Sequence, residues 1–344
     1  MRDSQILDLI TSTLHKMGKG KFTQIAQELH EYEVMGKLLT KNGGVQVIPD
    51  GMGLKEYLMT KRGGSFRWVD LFEPDSVNLV DVMAEMKVEW CHGTANMMYE
   101  RRELLMNRGE SRINNVFKPR RAGMMLDVAD GLEGAFWDAP VAGNDKVPWG
   151  IQYWIVRNAS EGFNGGAPSG FTTVGNVNLT KHPAFKNYTN TYSAVSKDDL
   201  IKKLRKAHWQ TRWKSPINMA EFQSETGQKR KLYCGYELLS DLEDIGEAQN
   251  DNLGRDLAPY DGQMTFRRHP IVPVDKLCYA NDTAYPIYMI DTSTFKLFVL
   301  KGDYLRESDA EKAPNQHNVY VVHVDLSYQT MCLNRRANAV LYKS

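Results

Sequence analysis

Several common features are scarce or missing. Cysteine is rare, with Cys91, Cys234, Cys278 and Cys332 the only four in 344 residues and no two closer than 44 positions. That spacing excludes a local Cys-x-x-Cys seed for zinc or redox chemistry and fits reduced thiols. No run approaches the roughly 18 consecutive apolar residues of a membrane span, so no membrane partner is expected. Met1-Arg2-Asp3-Ser4-Gln5 leads into a polar amphipathic stretch without the apolar core of a signal peptide, which predicts an intracellular product. Charge of one sign is not in excess either: 43 Lys and Arg face 42 Asp and Glu, which excludes a uniformly basic nucleic-acid coat.

Signature motifs of catalysis are missing as well. No Gly-x-Gly-x-x-Gly follows a strand, no glycine-rich run ends in a phosphate-loop lysine, and neither a Gly-x-Ser-x-Gly elbow nor a His-Glu-x-x-His helix occurs. No cofactor, metal or catalytic residue is therefore expected. The best enzymatic alternative is a metal-dependent site on His323 and Asp325, which alternate with Ser327 onto one strand face below His317. Against it, Tyr320, Val322, Val324 and Leu326 form the apolar side of that strand, which leaves the polar side for solvent. His208 and His269 have no carboxylate pattern around them and read as surface or cap residues.

What is present is a clear order of patterns. Ile6, Leu7, Ile10 and Leu14, then Phe22, Ile25, Ala26 and Leu29, recur at helical spacing around a Gly18-Lys19-Gly20 break, which predicts a helical arm over 1–42. From 43 to 95 the period changes to two. Val80, Val82, Ala84, Met86, Val88 and Trp90 share one face of an extended strand, and Phe66, Trp68 and Phe72 are the expected partner across glycine-rich turns. An isolated two-stranded excursion of this kind is marginal in water and needs another surface. The alternative is an ordinary sheet within a compact domain.

Residues 96–138 return to helix, interrupted at Pro119, with Met124, Met125, Val128, Leu132, Phe136 and Trp137 on an inward face. Gly123, Gly131 and Gly134 within it allow either bending or close packing against a neighbour. Ser196 is an N-cap with Asp199 as third residue of a helix whose row is Leu200, Leu204, Ala207 and Thr211. A further helix carries Leu238, Leu239, Leu242 and Ile245, and strands follow at 287–290, 295–300 and 319–326.

Charge is balanced in total and segregated locally. Residues 100–121 carry seven basic against three acidic side chains, 197–214 seven against two, and 237–257 one against seven. In the β excursion, Lys61, Arg62 and Arg67 precede Glu73, Asp75, Asp81 and Glu85. Such blocks suit a chain whose copies meet with opposite patches facing, although each block alone would also suit a solvated face.

This order resembles the major capsid proteins of tailed bacteriophages, which have an N-arm, an extended E-loop, a spine helix, a P-domain and an A-domain. The closing stretch His317-Asn318-Val319-Tyr320-Val321-Val322-His323-Val324-Asp325, followed by Cys332-Leu333-Asn334-Arg335-Arg336-Ala337-Asn338, also looks like the last strands of phage coat sequences. The resemblance implies an α+β capsid fold with the N-arm at 1–42, the E-loop at 43–95, a P-domain at 96–235 containing a spine helix at about 120–138, and an A-domain at 236–344 with strands returning to the P-domain. It implies a non-enzymatic coat subunit forming pentamers and hexamers around double-stranded DNA, with a separate scaffolding protein, a portal and a decoration protein as partners. An encapsulin-like compartment shell is the alternative within the same fold. Lys61, Arg62, Arg67, Trp68, Glu73, Asp75, Asp81 and Glu85 are the expected inter-subunit contacts. Some relatives crosslink a loop Lys to a neighbour's Asn; Lys61 and Asn338 would be the candidates, but nothing local marks them and no such bond is predicted.

Overall fold

The computed structural model describes residues 45–49, 51, 53–61, 63, 64, 66–72, 82–106, 110–214, 225, 226, 229–247 and 264–344. The expected helical arm at 1–42 lies outside the described residues, as do Arg62, Glu73, Asp75 and Asp81.

In chain order the elements are β1 (Val45–Ile48), β2 (Leu54–Met59), β3 (Met83–Val88), β4 (Cys91–Glu100), α1 (Arg101–Met106), α2 (Glu110–Trp137), α3 (Ile151–Trp154), β5 (Gly162–Gly165), β6 (Asn187–Tyr192), α4 (Lys202–Thr211), β7 (Trp213–Lys214), β8 (Glu225–Thr226), β9 (Arg230–Cys234), α5 (Tyr236–Glu247), β10 (Thr265–Phe266), β11 (His269–Pro273), β12 (Ile287–Asp291), β13 (Phe295–Leu300), β14 (Arg306–Glu307), β15 (Glu311–Lys312), β16 (Val319–Cys332) and β17 (Ala339–Lys343). Strands and helices are segregated rather than alternating, which makes the fold α+β.

A six-stranded sheet is organised by β16. It pairs antiparallel with β4 from Val319↔Glu100 to Tyr328↔Cys91, and with β13 from Val299↔Tyr328 to Phe295↔Cys332. β1 joins the other side of β13 in parallel. Both ends of the 43–95 span are thus anchored in one sheet, and β4 continues as strand to Glu100, beyond the expected change to helix at 96. Tyr320, Val322, Val324 and Leu326 are all buried, as their alternation predicts.

The helix α2 crosses this sheet, and at 28 residues it is about 42 Å long. Pro119 lies inside it, which corrects the predicted interruption. A mid-helix proline costs about 3 kcal/mol in lost hydrogen bonding and ring clash. That cost is offset by packing on both sides of it. Phe117, fully buried, packs on Tyr99 of β4 with the rings tilted at 35° and their centroids 4.1 Å apart. Arg120 holds Glu103 through two hydrogen bonds of 2.9 and 2.6 Å, and Arg121 grips Glu307 of β14 at 3.0 and 2.8 Å. At the other end, Phe136 and Trp137 enter a large core with Leu54, Ala84, Met86 and Val88 from the β2–β3 ladder. Gly123 and Gly131 do not serve close packing, because a Cβ at either would meet no atom within 4 Å among the described residues.

A seven-stranded sheet has the order β10-β11-β9-β12-β17-β6-β5. One face, through Tyr233, Tyr288, Ile290 and Val340, joins the core that holds Trp137. The other, through Leu232, Cys234, Ile287, Met289, Ala339 and Leu341, is covered by α4 and α5. The turn leading into α4 is capped as its sequence predicts: Ser196 Oγ accepts the Asp199 amide hydrogen at 3.2 Å, and Leu200, Leu204, Ala207 and Thr211 are buried. All four cysteines are free and buried; burial pushes the Cys91 and Cys278 thiols to about 11 and those of Cys234 and Cys332 to about 12.

Candidate interaction surface

The β2–β3 ladder runs from Leu54↔Val88 to Met59↔Met83 and is extended by Thr60 N–H donating to Val82 O at 2.9 Å. Its base is clamped to the body. Ala84, Met86 and Val88 point inward as their alternation predicts, and the Lys87 amide donates to Gly175 O at 3.0 Å. Gly175 has φ +55, and a Cβ there would come within 2.8 Å of the Met86 side chain, so that turn requires glycine. Farther out, Thr60 Oγ1 lies 2.7 Å from His182 Nδ1.

Phe66–Phe72 is not the strand partner of 82–88, a correction of the sequence reading; Leu54–Met59 is. Leu54 and Leu58 turn inward with Glu56 between them, while Lys55, Tyr57 and Met59 lie on the exposed face of the ladder. Phe66–Phe72 lies outside the ladder, with every one of its residues exposed.

The consequence is a loop tip with exposed apolar side chains. Trp68 is 90% exposed, Leu71 88% and Phe72 97%, with Phe66 and Val69 also exposed. Phe66 and Trp68 touch edge to face at 5.3 Å, and Phe72 takes a left-handed backbone at φ 69. Burying each such side chain is worth about 1.5–3 kcal/mol. Exposed patches of this kind mark interaction sites.

Of the other expected contact residues, Lys61 and Arg67 are exposed on the same excursion. Glu85 sits on β3, where its Oε1 is 2.9 Å from Lys55 Nζ across the ladder. That pairing raises the Lys55 pKa, through the hydrogen bond first and the Glu85 charge second. Glu85 is therefore engaged within its own hairpin. Val69, Leu71 and Phe72 were missed as surface residues.

The alternative metal site does not assemble. Asp325 accepts a 3.0 Å hydrogen bond from Arg306 Nη2, and the His323 backbone is tied to Ser308 in both directions. Ser327 Oγ donates to Asp303 and lies 2.7 Å from His92 Nδ1. Among the described residues, no three His, Cys, Asp or Glu side chains converge on a point that could hold a metal ion. No described helix is long and apolar enough to cross a membrane.

His208 is not a surface or cap residue but is buried against Arg230, with His269 tilted over it at 5.3 Å. Asn338, also buried, spends its side chain internally. Its amide donates to Thr294 Oγ1 at 3.0 Å and Asn334 O at 2.9 Å, and its Oδ1 accepts from the Asp291 amide at 2.8 Å.

No protein-family model matches the chain, and no curated protein matches it in sequence. Solved structures match its fold along nearly its whole length. It is similar to a chain of the cyanophage A-1(L) capsid asymmetric unit, with a TM-score of 0.64 at 10% identity over 94% of this chain and 96% of that one. It is also similar to a capsid chain of the native GTA particle, at TM-score 0.57 and 11% identity over 96% of each chain. A third match is the capsid of Myoviridae phage XM1, at TM-score 0.54 and 11% identity over 96% of this chain and 98% of that one. The chain has the tailed-phage capsid fold.

Proposed function

We propose that this chain is a major capsid subunit, a structural protein that assembles with copies of itself into the pentamers and hexamers of an icosahedral shell enclosing double-stranded DNA. The observation that carries the reading is the correspondence of fold over 94% of the chain with a phage capsid subunit. The exposed tip at 66–72 supports it, because a subunit that leaves Trp68, Leu71 and Phe72 in water needs a neighbour to cover them.

In this reading 1–42 is the N-arm, 43–95 the E-loop, 96–235 the P-domain with the spine helix, and 236–344 the A-domain. The E-loop leaves the six-stranded sheet at β1 and rejoins it at β4, and the base of its β2–β3 ladder is packed on the body of the fold. Lys61, Arg62, Arg67, Trp68, Glu73, Asp75 and Asp81 of the E-loop meet the adjacent subunit. The subunit resides in the virion after assembly in the host cytoplasm, with a separate scaffolding protein, a portal and a decoration protein. Near-neutral charge keeps contact with packaged DNA weak and non-specific.

Negative-stain microscopy of the recombinant full chain, alone and with host lysate, tests the reading. Shells, tubes or capsomer rings are the expected result, and a persistent monomer under both conditions overturns it.

A further inference from the structure

Helices α4 and α5 share one face of the seven-stranded sheet but sit toward opposite edges. Leu204 and Ala207 of α4, with Leu200 of its leading turn, and Leu238 and Leu242 of α5 enter the same buried layer. α4 rests on β6 and β17, whereas α5 rests on β11, at the other side of the strand order. Each therefore has an outer surface turned away from the sheet.

Those two surfaces carry opposite charge. On α4 and its C-terminal flank, Lys202, Arg205 and Arg212 are exposed. On α5, Asp241, Glu243 and Asp244 are exposed. Among the described residues none of these six has an oppositely charged partner within 4.0 Å. The same helix shows what pairing looks like when it occurs: Lys203 binds Asp199, and Lys206 binds Glu161 at 2.5 Å. Elsewhere Lys55–Glu85, Arg120–Glu103, Arg121–Glu307 and Arg306–Asp325 are all closed pairs. Like charges three and four apart on a helix work against it. Among the described residues, two helices on one face of one sheet thus hold unpaired charge of opposite sign, at the same spacing: Lys202 and Arg205 are three apart, as are Asp241 and Asp244.

We infer that the acidic outer surface of α5 docks against the basic outer surface of α4 on the next copy of this chain, head to tail around the capsomer axis. The inference rests on the shell reading and names one interface within it. A head-to-tail contact uses two different patches per subunit, which complementary patches at opposite edges supply, and it forms a ring where its rotation closes. Charges at such an interface fix orientation and exclude wrong partners more than they add affinity, so they act alongside the apolar tip of the E-loop.

Charge reversal in the full chain tests it. Lys202→Glu with Arg205→Glu leaves the exposed surface of α4 and its flank net negative, with Arg212 retained, and Asp241→Lys with Asp244→Lys leaves the exposed surface of α5 net positive, with Glu243 retained. All four positions are exposed, and each variant is checked for wild-type circular dichroism and Tm. The expected result is that wild type forms rings or shells and each double variant alone does not, while the chain carrying all four substitutions does. A mixture of the two double variants must alternate, so it forms hexameric rings, tubes or flat sheets but no pentamers and no closed shells.

Double variants that assemble like wild type overturn the inference and leave the shell reading standing, and so does a folded four-substitution chain that fails to assemble. A mixture that stops at dimers overturns the head-to-tail arrangement. If the Lys202 and Arg205 variant assembles normally but retains less nucleic acid, that surface is a DNA contact instead. A wild-type chain that forms no rings at all removes the shell reading and this interface together.

Discussion

Arg230 Nη1 donates to the backbone carbonyl of His208 at 2.9 Å, which holds the guanidinium 3.3 Å from that residue's Nδ1. A cation this close, in a site where both side chains are buried, leaves no room for an imidazolium. Burial first and the Arg230 charge second lower the His208 pKa to about 4. His269 is lowered for the same two reasons.

Linkage turns this geometry into a pH dependence. In the unfolded chain His208 takes up a proton as pH falls below about 6.5, whereas in the folded chain it stays neutral until about 4. The unfolded state binds more protons in that window, so stability is at its plateau above pH 6.5 and falls as pH drops toward 4. With allowance for screening, the loss between pH 7 and pH 4.5 is about 2 kcal/mol. Urea titrations at the two pH values measure it, and His208→Gln should remove most of the difference. An unchanged pH profile in that variant would count against the pairing.

Two substitutions on α2, two positions apart, should have opposite signs. Phe117→Ala empties a fully buried site against Tyr99 and is expected to cost about 3–5 kcal/mol. Pro119 is exposed, and Pro119→Ala restores a helical N–H without opening a cavity, so a gain of about 1–3 kcal/mol is expected. Denaturant unfolding of the two variants decides it; a destabilised Pro119→Ala would mean that the proline bend is itself required by the packing.

The E-loop tip separates folding from assembly. Trp68→Ser and Phe72→Ser remove side chains that are 90% and 97% exposed, so subunit stability should stay within about 0.5 kcal/mol of wild type. Assembly should be lost, because the cover those rings require is on another copy. Sedimentation velocity of the purified variants reads the outcome, and normal particles from Trp68→Ser would remove that residue from the interface.

Legibility in the sequence followed the range of the interactions. The inward row Ala84, Met86 and Val88, the Ser196 cap and the strand Phe295–Leu300 depend on neighbours a few residues away, and all are where periodicity places them. The errors were non-local. Pro119 stays helical because Tyr99 and Glu307, distant in sequence, hold its flanks. His208 is buried because Arg230, 22 positions on, closes over it. Phe66–Phe72 failed as a strand because the ladder position it was assigned is filled by Leu54–Met59. At the candidate site, the composition of the loop tip was legible, but its exposure required knowing which segment paired with β3.

The glycines of α2 carry the last prediction. Gly123 and Gly131 have open space where a Cβ would stand, so Gly123→Ala and Gly131→Ala meet no steric objection. Each should raise helix stability by about 0.5–1 kcal/mol, since alanine loses less backbone entropy on folding. The sites are eight residues apart, about 12 Å along the axis, so the gains should add. In a helix that stays straight throughout the life of the protein, such gains would come without penalty. In the shell reading the helix takes two curvatures as the particle expands, and the double alanine variant should then form unexpanded shells that expand more slowly than wild type. Thermal melts measure the first effect and time-resolved cryo-electron microscopy the second. Equal expansion rates, or identical α2 curvature in expanded and unexpanded wild-type shells, would show that the glycines serve no bend.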